Sequence, residues 1–204
     1  MSRKLVTGVV FLVFLLADVA ALAGVTEIRT IYQEINSLIE SKAAKLVSVY
    51  AADVAGGVGW RAVAGAADQN AFDKSDWRAQ VYLHERKIIK AQIESTSESG
   101  DWKLTEEYYF YKNDQTAFYF QTLLTFQGYD YEHDRELPPG PYVVEKRVYF
   151  DEDGKELRKL LRAFVRKSGK NIDGKYLATG PMRGEIFPKA AVLPFYGLIK
   201  DMVR

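Results

Sequence analysis

The chain has 204 residues, with 28 Lys and Arg against 27 Asp and Glu, 2 histidines and no cysteine. The lack of cysteine excludes disulfides, thiolate metal sites, a cysteine nucleophile and a lipid-bearing cysteine. The near balance of charge argues against a general polyanion binder, so nucleic acid is not an expected partner.

Met1 to Lys4 is basic, Leu5 to Ala17 is an apolar run, and Ala21-Leu22-Ala23 has the small-x-small pattern cut by signal peptidases. This predicts a signal peptide over residues 1–23, a single α+β domain over 24–204, and a periplasmic or secreted location. The run stops at Asp18, short of the roughly 20 apolar residues a bilayer-spanning helix needs. Retention of the leader as an anchor is the alternative. No second run of spanning length follows, so no transmembrane segment is expected once the leader is cut. Its removal takes away Arg3, Lys4 and Asp18 and leaves the remainder with no net formal charge.

After the leader, Thr26 suits an N-cap, and Ile28, Ile31, Ile35, Leu38, Ile39 and Leu46 recur at helical spacing. The pattern predicts an N-terminal amphipathic helix from Glu27 to about Tyr50 that packs on the protein's own sheet. Residues 51–76 are rich in Ala, Gly and Asp and read as an irregular connection, with at most a short strand around Trp60 to Val63.

From Trp77 onward the period changes to two. Strands are predicted over Arg78 to Leu83, Lys87 to Ser95, Trp102 to Tyr111, Thr116 to Phe126, Tyr142 to Phe150 and Glu156 to Phe164. The connections are mostly too short for parallel crossovers, so the expected fold is α+β, a curved antiparallel β-meander of about five to six strands under the helix. Gln127 to Pro141 is the exception, because Pro138, Pro139 and Pro141 cannot donate to a ladder. In the tail, Gly180-Pro181, Gly184 and Pro188 indicate a winding path. Beyond them Phe195, Leu198, Ile199 and Met202 have helical spacing and should dock on the domain.

The chemistry-bearing motifs are sparse. There is no Gly-x-Ser-x-Gly elbow, no phosphate loop and no paired-histidine metal motif. Asp130, Glu132, Asp134 and Glu136 alternate around His133, so an extended backbone would line up their carboxylates, but they lack a complete calcium-ligand pattern. Neither a metal nor an organic cofactor is therefore expected. Glu107 and Arg147 could form a cross-strand pair on the sheet surface.

The aromatics stand out. Alternation allows Tyr108, Phe110, Phe118 and Phe120 to face the helix while Tyr109, Tyr111 and Tyr119 look outward as a row that can bind a ligand or partner. These features suggest a non-enzymatic exported binding module for an unknown protein or a small apolar ligand, using that row or the loop carrying Tyr129, Tyr131 and His133. Two alternatives stay open. One is a carrier of lipid or another apolar ligand between helix and sheet, in a cavity lined by Phe110, Phe118 and Phe120. The other is a hydrolase using the carboxylates around His133.

Overall fold

The computed structural model describes residues 24–54, 57–130, 133–173 and 185–203. The expected leader over 1–23, Tyr131 and Glu132 of the acidic loop, and the Gly180 to Gly184 stretch lie outside these residues.

Residues 24–40 form helix α1, which buries Val25, Ile28 and Ile35. The helix stops where Lys42 takes a left-handed conformation (φ 60°) and the Ala44 N–H donates back to the Leu38 carbonyl at 3.1 Å, a C-terminal closure. The expected amphipathic helix reaching Tyr50 is therefore corrected: its last residues, Lys45 to Tyr50, belong to strand β1, Lys45–Val54. Val47 and Val49 alternate into the core there while Leu46, counted for the helix, is half exposed. β-branched residues at period two outweigh a single helical match.

The elements that follow are β2 (Gly57–Ala62), α2 (Ala66–Lys74), β3 (Trp77–His84), β4 (Lys87–Thr96), β5 (Trp102–Phe110) and β6 (Thr116–Thr125). A small hairpin, β7 (Tyr129–Asp130) and β8 (Arg135–Glu136), precedes β9 (Tyr142–Phe150) and β10 (Glu156–Val165). The described chain closes with a 3-10 turn (Ala190–Val192) and α3 (Tyr196–Met202). Among the described residues the main sheet has eight strands, where the alternation predicted five or six, in the order β10-β9-β6-β5-β4-β3-β1-β2 and antiparallel throughout. The two additional strands are β1 and β2. Helix α2, which the Ala-rich composition concealed, returns the chain from β2 to β3 past β1 and is anchored by buried Phe72 and by the Tyr50 hydroxyl donating to Asp68 Oδ1 at 3.1 Å. The proline-bearing segment leaves the sheet as expected and pairs with itself through β7 and β8.

Both faces of the sheet are apolar at the centre. On one, α1 lays Ile28 and Ile35 over Tyr109, Tyr111, Ala117 and Phe118. On the other, the tail presses Leu193, Phe195 and Ile199 onto Val49, Val81, Ile93, Tyr108 and Tyr119. The tail is pinned there by the Thr116 Oγ1 hydroxyl donating to the Phe187 carbonyl at 2.7 Å and by an edge-on contact of Phe195 with Trp60 of β2. A second cluster on the tail face is built from the directly paired Leu104, Leu123, Val144 and Ala163, with Tyr142 and Ile172.

Leu123 is fully buried between Leu104 and Val144. Leu123→Ala is expected to lower stability by about 2–5 kcal/mol, the range for a leucine cavity that cannot collapse. Urea unfolding checks this; a loss below about 1 kcal/mol would mean that the second cluster is loosely packed.

Candidate functional site

Directly paired residues share a face of a sheet. Tyr108 pairs with Tyr119 and Tyr109 with Phe118, with an irregularity at Tyr109/Phe110. Phe118 and Phe120 therefore stand with Tyr109 and Tyr111 on the α1 face, while Tyr119 joins Tyr108 and Phe110 on the tail face. This corrects the expected division of aromatics, because register follows the turn, and a one-residue slip exchanges the faces.

It also corrects the outward row. Tyr109, Tyr111 and Tyr119 are 1%, 6% and 0% exposed, each beneath a covering element. Their hydroxyls are committed as well. Tyr109 donates to Glu107 Oε2 at 2.9 Å, Tyr111 to the Phe150 carbonyl at 2.8 Å and Tyr119 to Glu106 Oε1 at 2.9 Å. Lys90 Nζ lies 2.6 Å from Glu107 Oε2 and 4.7 Å from the Tyr109 ring centroid. Burial, then the charge of Glu107, pushes the Tyr109 hydroxyl well above the usual tyrosine range. Burial, with Glu27, Glu152 and Asp151 nearby, pushes Tyr111 up to about 12. Glu107 and Arg147 are not neighbours, because Phe120 stands between them in the register; Arg147 instead pairs with Glu145 at 2.9 Å.

The 127–141 loop carries the remaining candidates. Asp130 is buried, 3.1 Å from His133 Nδ1 and 3.9 Å from Arg135 Nε. Tyr129 donates to Asp134 Oδ1, and His133 is half exposed. The chain reverses between β7 and β8, so the described carboxylates do not line one side: Asp130 is buried and Glu136 is exposed. These contacts fold the hairpin on itself. Among the described residues no group of three or more His, Asp or Glu is placed to hold a metal ion.

A different site lies between α1 and the sheet. A cleft of about 280 Å3 is lined by Phe118, Phe120 and Tyr149 from the sheet and by Ile28 and Tyr32 from the helix, with Arg29 and Arg147 beside them. Phe118 packs on Tyr149 at 4.9 Å between centroids and meets Tyr32 edge-on at 6.0 Å. The Arg147 guanidinium lies 5.1 Å from the Phe120 centroid. Phe110 is absent from this cleft because it stacks with Tyr108 on the opposite face. Farther along the sheet, a polar hollow around Asp73, Arg78, Gln92 and Glu94 is already internally paired, with Glu94 Oε2 2.8 Å from Arg78 and 3.1 Å from Lys103. Burial opposes the charge on Glu94, but these partners outweigh it and hold the carboxyl below its ordinary range.

The tail face holds an arrangement that the sequence reading did not single out. Glu106 of β5, Gln121 of β6 and Lys146 of β9 are directly paired across adjacent strands, forming a polar row between the two apolar clusters. They are 1%, 0% and 9% exposed. Glu106 Oε1 accepts from both Tyr108 and Tyr119, at 3.2 and 2.9 Å, whereas among the described residues neither polar atom of the Gln121 amide has a hydrogen-bond partner. Lys146 Nζ sits 5.7 Å from the Tyr119 ring centroid. Burial and then Lys159 lower the affinity of its amine for a proton, with Glu106 and Glu156 acting the other way.

No protein family, curated protein or solved structure matches the chain in comparisons with each.

Two outcomes follow from this geometry. An unfolded tyrosine ionises near pH 10, so a residue held protonated to about 12 in the fold stabilises fully below pH 10 and loses that contribution as pH rises through the folded value. The urea midpoint should fall between pH 10 and about 12, and Tyr111→Phe should flatten that fall. Gln121→Leu removes two unpartnered buried polar atoms. It should leave stability unchanged or raise it by up to about 1–3 kcal/mol, the desolvation cost of such groups; a loss of stability would point to a bound partner for the amide.

Proposed function

We propose that the protein is an exported, non-enzymatic binding module that carries a small amphipathic anion, an apolar chain or ring with one negative head, in the cleft between α1 and the sheet. The observation that carries this reading is the pairing of an aromatic floor, Phe118, Phe120 and Tyr149, with the guanidinium groups of Arg29 and Arg147 at one cleft of about 280 Å3. That volume is close to the lower end of the roughly 300–1,000 Å3 typical of small-molecule sites.

The aromatic rings supply apolar area with defined orientation, and a guanidinium supplies planar donors suited to a carboxylate. Arg29 is exposed and Arg147 already leans on Phe120 while paired to Glu145, so a ligand head would compete with Glu145 for Arg147 and recruit Arg29. Tyr32 is 43% exposed at the cleft although its ring touches Tyr109 and Phe118, as expected of a wall that a ligand would cover. The leader pattern over 1–23 supports periplasmic or secreted work, where a carrier meets such ligands.

Calorimetric titration of the full chain with octanoate, against octanol as an uncharged control, tests the reading. Saturable octanoate binding should weaken about tenfold or more in Arg147→Gln and in Phe120→Ser, in line with the loss of a charge-assisted contact. Absence of octanoate binding to the folded protein, or affinities unchanged in both variants, would remove the cleft as the site.

A further inference from the structure

The opposite face carries a second arrangement, independent of the cleft. A cavity of about 250 Å3 opens where the tail joins the sheet, lined by Lys146, Val148 and Phe150 of β9, Lys159 and the acidic Glu156 of β10, Ile186 and Pro188 among others. Lys159 pairs directly with Val148 and Lys146 with Leu161, so the two lysines are diagonal neighbours on one face, roughly 7–8 Å apart at the backbone. Gln121, fully buried, is the direct partner of Lys146 on the other side.

We propose that this cavity is a binding site for a small molecule bearing a carboxylate or phosphate group, held by the Lys146 and Lys159 ammonium groups. Two observations converge. Lys146 is nine-tenths buried, yet no carboxylate lies within ion-pair distance of its Nζ among the described residues. A buried cation is retained at low cost only when it is paired and hydrogen-bonded. The cavity between the lysines has apolar walls, Val148, Phe150, Ile186 and Pro188, that would take a ring or short chain while the oxyanion meets the amines.

Electrostatics point the same way. Lys146 faces the positive Lys159 and the acidic Glu106 and Glu156, and burial together with Lys159 prevails, which leaves its ammonium poorly neutralised. An oxyanion bound between them would neutralise both lysines.

The test uses the full chain with two probes, inorganic phosphate and benzoate, read at Lys146 itself. Lysine-directed acylation followed by peptide mass spectrometry should show Lys146 and Lys159 protected by either probe, and the melting temperature should rise with it. Benzoate alone protecting would identify a carboxylate ligand, and phosphate alone a phosphate one. Lys146→Met should fold, melt higher than the parent without added anion, and lose the anion-induced rise; Lys159→Ala should weaken protection of Lys146 about tenfold. Phe120→Ser, which damages the helix cleft, should leave protection of Lys146 intact, so this site and the cleft fail separately. If neither probe slows acylation of Lys146, or if Lys146→Met keeps the full anion-induced rise, the proposal is wrong.

Discussion

The register between β5 and β6 is the constraint on which the rest depends. Pairing Tyr108 with Tyr119 and Tyr109 with Phe118 puts large rings on both sides of the same two central strands. A sheet with one apolar face needs one cover, whereas a sheet with two needs two, and this chain provides them from its ends: α1 from the N-terminal side and the segment from Ile186 to α3 from the C-terminal side. Each buried hydroxyl must then be satisfied within the protein, and those of Tyr109, Tyr111 and Tyr119 find a carboxylate or a carbonyl. The same pairing brings Glu106 opposite Gln121 and, one strand farther, Lys146. The polar row is thus a direct product of the register that forms the core.

What was legible in the sequence follows from which interactions are local. The six strands from β3 to β10, excluding the small hairpin, lie within a residue or two of their predicted limits, because strict alternation and turn residues such as Asp151 to Gly154 are read from neighbours alone. In that turn Gly154 takes φ 83° and the Asp151 carboxylate accepts from Asp153 and Lys155, a purely local device. Strand β1 was misread because Leu46 happened to fall on the helical stripe, while the decisive alternation of Val47 and Val49 covered only a few residues. Helix α2 was missed because its one anchor, Phe72, sits among alanines and aspartates that signal nothing by themselves.

The candidate sites were less legible, for a different reason. Which tyrosines are exposed depends on covering elements that join the sheet through contacts over 70 residues away, such as that of Thr116 with Phe187, and no local pattern encodes them. The polar row did leave a trace. In Leu104-x-Glu106-x-Tyr108, Tyr119-x-Gln121-x-Leu123 and Val144-x-Lys146-x-Val148, a polar residue stands in the phase that the flanking apolar residues mark as buried. Three such breaks on adjoining strands are a stronger signal than the surplus of aromatics, which proved to be mostly core.

Among the described residues the main sheet ends at β10 on one side, where Phe164 bridges to Asn171, and at β2 on the other. An outer strand with free backbone donors and acceptors is a template for a neighbouring chain to pair against. Here β10 presents exposed Glu156, Arg158, Lys159 and Arg162 along its length, and β2 is short and holds two glycines. Charge on one rim and brevity on the other discourage edge-to-edge polymerisation. This matters for a molecule with so many rings in its strands, whose partly unfolded forms would otherwise be prone to stack into fibres.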